Sequence, residues 1–369
     1  MSLLLSVIMT VHNGSSYLYD AITSVLEQSY HDFELVVVDN GSTDNSLQIL
    51  NSFNDPRLRV IELGRNIGRT PALNVALEAS YGDYVAVQDA DDISLPQRLE
   101  CQISYLRDNA DVILLATSFS NIDASGKIMR EHRVPTSNET ITWNLVFDNC
   151  LPHSSVMMRR ERIWALGGYD EDFRWAQDYE LYSRLMHRKE RIAALPETLV
   201  YIRLHPQSET YVAEIKSKLE PAKTSCANFR HFLPDLPEKT LKLANAILRK
   251  DRYPQTAKEA LVAISVLEQL FESFVRQNSP TSKELARLEG NMAARLCQLA
   301  IAWRKGFPRV AWYTYRRSFS WDPSHGAIPL TQLGNTLVRK VRRSISLSVA
   351  HRKRESASLE GTCNLPPED

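Results

Sequence analysis

The sequence lacks most of the features that assign a chain at a glance. Its 44 basic and 44 acidic residues cancel to a formal net charge of +0 over 369 residues. No chain-wide field therefore calls for a polyanionic partner, and no RNA- or DNA-binding motif is present, so nucleic acid is not expected. The five cysteines (Cys101, Cys150, Cys226, Cys297 and Cys363) have no CxxC or HxxxH company. That argues against structural zinc and for free thiols in a reducing, cytoplasmic setting. No stretch reaches the roughly eighteen uninterrupted apolar residues of a membrane-spanning helix. The apolar start, Leu3 to Met9, has no basic flank before it and no small-residue cleavage site after it; it reads as a buried strand rather than a signal peptide. The glycine fingerprint GxGxxG is missing where a dinucleotide-binding chain would carry it, since Val11-His12-Asn13-Gly14-Ser15-Ser16 stands there instead. There is no internal repeat.

What is present is an ordinary globular composition, 43% hydrophobic and 24% charged. The length suits two domains or one domain with an extension. Leu5 to Val11 and Phe33 to Val38 are continuous apolar runs, the pattern of strands buried on both faces. Between them, Tyr17 to Gln28 carries apolar residues at helical spacing. A helix is expected from Asp44 to Asn51, capped by Ser42 or Thr43. Arg57 to Leu63 reads as a strand, Ala72 to Ala79 as a helix and Tyr84 to Val87 as a strand. This alternation predicts an α/β fold with a parallel sheet and right-handed crossovers, whose ligands sit beyond the carboxyl ends of the strands. Past Val112 the pattern loosens, with strands expected at Val112 to Ala116 and Ser155 to Met158, a short helix at Ile163 to Gly168 and an amphipathic helix at Asp178 to Arg188. After about Tyr211 only helices are expected.

Two acidic features stand at predicted strand ends. Asp89, Asp91 and Asp92 crowd three carboxylates into four residues directly after Tyr84 to Val87. Such a cluster repels itself unless a cation joins it, and oxygen ligands suit Mg²⁺ or Mn²⁺; the alternative is an acidic turn capping the next helix. Asp39 ends the second strand, where a carboxylate can accept from a pyrimidine N3–H or a ribose hydroxyl. Helix capping accounts for Ser42 and Asp44 but poorly for Asp39.

Taken together, Val7-Ile8-Met9-Thr10-Val11-His12-Asn13, Val37-Val38-Asp39-Asn40-Gly41-Ser42-Thr43-Asp44, Asn66-Ile67-Gly68 with Ala72-Leu73-Asn74, and Asp89-Ala90-Asp91-Asp92 resemble the nucleotide-sugar-binding half of inverting family-2 glycosyltransferases with the GT-A fold. The resemblance covers about residues 4 to 210. It implies a mostly parallel sheet flanked by helices, to which the helical pattern after about Tyr211 adds a C-terminal extension, together with a UDP- or dTDP-sugar donor, Mn²⁺ or Mg²⁺, and a saccharide, lipid-linked or protein acceptor, with bacterial surface polysaccharide synthesis as the expected setting. It places Thr10, Asn13, Asp39 and Arg69 (or Arg65) near the nucleoside and phosphates, Asp89 on the ribose or sugar, Asp91 on the metal, and Asp92 in support of the cluster.

The same resemblance assigns the base that takes the acceptor's proton to Asp178, in Phe173-Arg174-Trp175-Ala176-Gln177-Asp178-Tyr179. Gln177 replaces the family's usual Glu, which should lower the base's pKa somewhat; the competing reading is a helix cap. Arg203 and His205, in Tyr201-Ile202-Arg203-Leu204-His205-Pro206-Gln207-Ser208, resemble a flexible segment closing over the diphosphate, His205 as a metal ligand and Arg203 as a phosphate contact. His153 is either part of the loop between donor and acceptor or a structural histidine. Trp175 either stacks on a sugar or fills core.

The division expected is residues 1–211 for the transferase domain, with 1–110 binding donor and 111–211 supplying the acceptor side and base, and 212–369 for the extension. Within the extension, Leu337 to Arg354 is basic and interleaved with apolar residues, suiting either peripheral contact with an anionic membrane or packing on protein. Oligomeric state is not legible. A non-catalytic sugar-nucleotide-binding protein of the same fold is the alternative function, with Gln177 its only hint.

Overall fold

The computed structural model describes residues 5–206 and 219–322. The basic segment Leu337 to Arg354 lies outside the described residues.

The first half of the chain folds as its periodicity dictates. Strands β1 (Leu5–Val11), β2 (Phe33–Asp39), β3 (Leu58–Glu62) and β4 (Tyr84–Val87) alternate with helices α1 (Leu18–Leu26), α2 (Ser46–Ser52) and α3 (Arg69–Ala79). All their ladders are parallel, in the order β3-β2-β1-β4. The apolar runs of β1 and β2 are almost wholly buried because helices cover both faces. α3 begins three residues before the expected Ala72, since Pro71 falls within the first turn, where its missing N–H is not needed. The expected Ser42 or Thr43 cap of α2 is not formed. Asn45 occupies the N-cap, and Asp44 Oδ1 accepts from Ser46 N–H at 3.0 Å instead.

The second half adds β5 (Ile93–Ser94), α4 (Arg98–Asp108), β6 (Val112–Ile122), β7 (Ile128–His132), α5 (Asn138–Leu145), β8 (Met157–Arg159), α6 (Arg160–Ala165), α7 (Gln177–His187) and β9 (Arg191–Arg203). They continue one sheet as β4-β8-β6-β9-β5, with β7 on β6. β8 runs antiparallel between β4 and β6, and β6 pairs with β9 in parallel. β6 extends well past Ala116, because Thr117, Ser118 and Ser120 are buried polar residues that break an apolar pattern without breaking the strand. The thirteen-residue β9 has no single long apolar run to announce it, since Pro196-Glu197 splits it into two short ones, Ile192 to Leu195 and Leu199 to Ile202, at a register shift against Thr117 and Ser118. Ser155 belongs to a 3-10 turn, His153–Ser155, ahead of β8.

After residue 218 every described element is a helix: α8 (Leu219–Phe232), α9 (Glu238–Leu248), α10 (Ala257–Asn278), α11 (Ser282–Trp303) and α12 (Pro308–Trp321). One compact unit comprises the described part of Met1–Tyr253 with Val266–Pro280, and contains the whole sheet. The other comprises Pro254–Ser265 and the described part of Thr281–Asp369. In the latter, a Thr281–Glu284 capping box opens α11, and Cys297, Ala300 and Tyr315 form a small core. Among the described residues no helix is long and apolar enough to cross a membrane.

Candidate active site

The carboxyl ends of β1 and β2 meet in two loops that are bound to each other. Asn13 takes φ 56°, a left-handed conformation that Asn tolerates. Its Oδ1 accepts from Thr43 N–H at 2.7 Å, and its own N–H donates to Ser42 Oγ at 3.0 Å. Both Asp39 oxygens accept from Ser42 N–H, at 3.3 and 3.2 Å. Burial alone would raise the Asp44 carboxyl, but hydrogen bonds from Ser46 and Ser15 hold it at about 2. Asn40 reaches the next loop: its Oδ1 accepts from Ile67 N–H, and its Nδ2 donates to Gly68 O. Gly41 makes this approach feasible, with φ +70° and the Arg65 carbonyl carbon 2.3 Å from where a Cβ would stand. Gly41→Ala is therefore expected to destabilise by about 2 kcal/mol and weaken nucleotide binding together with the melting temperature. A thermal melt with unchanged midpoint would refute the close approach.

The acidic cluster divides into three different environments. Asp89 Oδ1 pairs with Arg69 Nη2 at 2.6 Å and lies 3.8 Å from His153 Nδ1. Burial works against its charge, yet Arg69 and His153 hold the carboxyl well below its ordinary range. Asp91 Oδ2 is 3.0 Å from His205 Nε2, and its side chain remains 32% exposed. Burial and then the charge of Asp89 push Asp91 upward, only partly offset by His205. Asp92 is buried: its Oδ1 accepts from Arg203 N–H at 2.9 Å and its Oδ2 from the Ser154 hydroxyl. It supports the cluster from within rather than facing solvent. Burial, Asp91 and Asp89 together push it far above the usual carboxylate range.

Beneath the cluster lies a residue that no motif identified. Arg98 is fully buried and donates to Gln88 Oε1, Ser94 Oγ, Gln102 Oε1 and the Val87 carbonyl. Burial lowers its pKa to about 9, with Asp92 and Asp89 opposing that fall. Its only sequence trace is an arginine on a buried face of α4, which by itself has no chemical meaning.

Arg203 and His205 are better placed than the expected flexible segment implied, because Arg203 ends β9. Its Nε donates to Asp91 O at 3.0 Å and its Nη1 to Ala124 O at 3.2 Å. The guanidinium lies 4.6 Å above the Tyr17 ring, which also touches the His205 ring at 4.7 Å. Tyr17 is thus a second residue that the sequence did not single out.

Asp178 stands in the first turn of α7, with Ala176 as the N-cap. Its Oδ1 accepts from Tyr179 N–H at 2.7 Å and its Oδ2 from Asn149 Nδ2 at 2.8 Å. Burial raises its pKa; His153 pulls most strongly the other way, Arg69 also lowers it, and Asp89 adds repulsion. The lowering expected from Gln177 is thus outweighed by desolvation. Gln177 itself is buried, its Oε1 without a partner among the described residues. His153 is buried, with Nε2 2.9 Å from the Tyr169 hydroxyl. Trp175 stacks under the Arg174 guanidinium at 4.9 Å.

These elements enclose a cavity of about 290 Å³ lined by Thr10, Asn13, Tyr17, Arg69, Asp89, Asp91, Arg203 and His205, among others. That is near the lower end of pockets for small organic ligands, roughly 300–1,000 Å³. Asp39 lies buried behind the lining, and Asp178, His153 and Trp175 are outside it, with His153 and Arg69 linking Asp178 electrostatically to Asp89. Among the described residues no group of three or more His, Cys, Asp or Glu side chains could hold a metal. The pair Asp91 and His205 nevertheless fits a divalent ion that takes its other ligands from phosphates and water.

Residues 6–165 match the model for glycosyl transferase family 2. The chain is similar to an uncharacterized glycosyltransferase of Methanocaldococcus jannaschii, 31% identical over 237 residues, which are 62% of this chain and 81% of that protein. It is similar also to the O-antigen biosynthesis glycosyltransferase WbnJ of Escherichia coli, 32% identical over 238 residues, 62% and 89% of the two chains. Among solved structures, residues 1–349 of TarS from S. aureus in complex with UDP-GlcNAc superpose with a TM-score of 0.54 at 17% identity, covering 87% of this chain and 91% of that one. The likeness to TarS is one of fold.

Proposed function

This chain belongs to glycosyl transferase family 2 and is a glycosyltransferase, and we propose that it moves a sugar from a UDP- or dTDP-linked donor to an acceptor hydroxyl with inversion at the anomeric carbon. Residues 1–110 bind the donor; 111–211 supply the acceptor side and the base. The main support is one arrangement: Asp89, neutralised by Arg69, and Asp178, whose carboxyl is raised by burial, share His153 as neighbour.

Asp178 accepts the proton of the acceptor hydroxyl. The freed oxygen pair forms the new bond to the anomeric carbon as the bond from that carbon to the phosphate oxygen breaks, with the electrons leaving on the nucleoside diphosphate. Attack from the face opposite the leaving group inverts the centre, the same single-displacement logic as in inverting glycosidases. Burial makes Asp178 a stronger base than an exposed Asp, bringing it closer to the working pH. Asn149, donating to Oδ2, and the Tyr179 N–H, donating to Oδ1, together fix the orientation of the carboxyl group. Arg69 and Arg203 place cationic charge on the donor cavity, and Asp39 receives the pyrimidine N3–H. Mg²⁺ or Mn²⁺, held by Asp91 and His205, would neutralise the diphosphate and the charge developing on it. The acceptor is a saccharide, lipid-linked or protein hydroxyl, in bacterial surface polysaccharide or glycoconjugate assembly, with the chain cytoplasmic or at the inner membrane face.

A thermal-shift series with UDP, dTDP and GDP sugars, with and without Mn²⁺, tests the donor assignment. Saturation near a hundred times Kd stabilises by about 2.7 kcal/mol. UDP or dTDP compounds are expected to raise the midpoint only with the ion. Stabilisation by GDP compounds alone would overturn the role of Asp39.

A further inference from the structure

We infer that helices α8 and α9 position Asp178 for its reaction, through Glu220 and Arg249, so that part of the base's geometry is set by residues beyond the sheet. The inference rests on the reading of Asp178 as base.

Asp178 is framed by two short segments, 145–149 on one side and 174–176 on the other, and each is held by side chains from α8 or α9. The carbonyls where α5 ends, that of Leu145 and those of the two residues after it, lie past the helix's own donors. Here they are taken in succession: Asn228 Nδ2 donates to Leu145 O at 2.7 Å, Ser225 Oγ to Val146 O at 3.0 Å, and Arg249 Nη1 to Phe147 O at 2.6 Å. Arg249 also pairs with Asp148 at 3.3 Å and Asp251 at 3.0 Å, its side chain only 5% exposed. The next residue, Asn149, makes the hydrogen bond to Asp178 Oδ2. Its reach is therefore fixed by a backbone that Arg249 anchors.

Glu220 grips the other segment. Its carboxylate accepts from the N–H groups of Arg174, Trp175 and Ala176 at 3.0, 2.6 and 3.0 Å. Ala176 is the N-cap of α7, whose second residue is Asp178. These N–H groups precede the helix and have no intrahelical acceptor. A carboxylate satisfies three of them with charge-assisted bonds, which a neutral amide would not reproduce. Glu220 thereby sets where α7 begins, and with it the origin of the Asp178 side chain. Glu220 and Arg249 lie far from Asp178 in sequence and act on it only through backbone, so they are positioning residues. A displacement of about 1 Å at a reacting group is enough to cost roughly a hundredfold in rate.

The test compares Glu220→Gln, Arg249→Lys, Asp178→Asn and the double variant D178N/E220Q in the full chain. Turnover is measured with a UDP-sugar, and UDP affinity by calorimetry. E220Q and R249K are expected to lower kcat by about tenfold or more while KM for the donor and UDP affinity stay within about twofold. E220Q should add nothing on top of D178N, since a positioning effect needs the group it positions. The two grips are independent, so one folded variant is enough to read the result. If D178N keeps near-parental turnover, the base assignment itself fails. If D178N is inactive while the positioning variants retain parental kcat, or lose kcat only in step with UDP affinity, the positioning role is overturned and the base assignment survives.

Discussion

Asp178→Asn is expected to lower turnover by about a thousandfold, within the range for loss of a general base, while UDP affinity measured in the presence of Mn²⁺ stays within about twofold. The substitution keeps the shape of the side chain but only one acceptor oxygen, so it gives up one of the two hydrogen bonds, from Tyr179 N–H or from Asn149, and leaves the backbone of α7 in place. What disappears is the ability to hold a proton taken from the acceptor. A rate loss without a binding loss identifies an interaction made in the transition state. Near-normal turnover in D178N would sink the base assignment.

The pH profile supplies an independent reading of the same group. Burial raises the folded-state pKa of Asp178. A base works only when deprotonated, so as pH falls its activity is lost at a higher pH than for an ordinary carboxylate. The acid limb of kcat should accordingly lie above the usual Asp range and should be absent from whatever residual rate D178N shows. An acid limb at or below the usual Asp pKa would show that another group controls turnover.

Asp91→Ala is expected to weaken UDP binding in Mn²⁺ by roughly a hundredfold, about 2.8 kcal/mol, and to abolish the difference between affinities measured with and without the ion. Asp91 is the most exposed member of the acidic cluster and faces the cavity beside His205. Asp92 cannot substitute for it, because both of its oxygens are committed to Ser154 and Arg203. Removing Asp91 also removes its repulsion of Asp92, so the fold should melt no lower than the parent. That separates a ligand role from a structural one. Unchanged affinity with Mn²⁺ would sink the metal assignment.

Much of the donor half was legible in advance for a simple reason. A parallel strand buried on both faces must be apolar throughout, and it must end where a polar residue emerges. Hence Val11, Asp39 and Val87 marked strand ends correctly, and the loops that follow them were recognised as one site. The acceptor half was less legible. β9 carries Pro196-Glu197 in its middle, and β6 buries serines and a threonine, so neither keeps the period that a strand should show. Consequently Arg203 looked like part of a flexible segment when it ends a strand in the sheet.

The sequence by itself determined the strand–helix alternation, the chain ends of the strands at which Asp39, Asp89 and Asp91 stand, and the family to which these motifs point. Only the tertiary structure decided how the acids differ: Asp89 paired with Arg69, Asp91 with His205 from 114 residues away, and Asp92 buried above Arg98. It also brought Glu220 and Arg249 to the segments around Asp178. The physical reason is that backbone periodicity is a local property that short spacing records. Charge pairing and desolvation depend on distance through space, which only the packed chain sets.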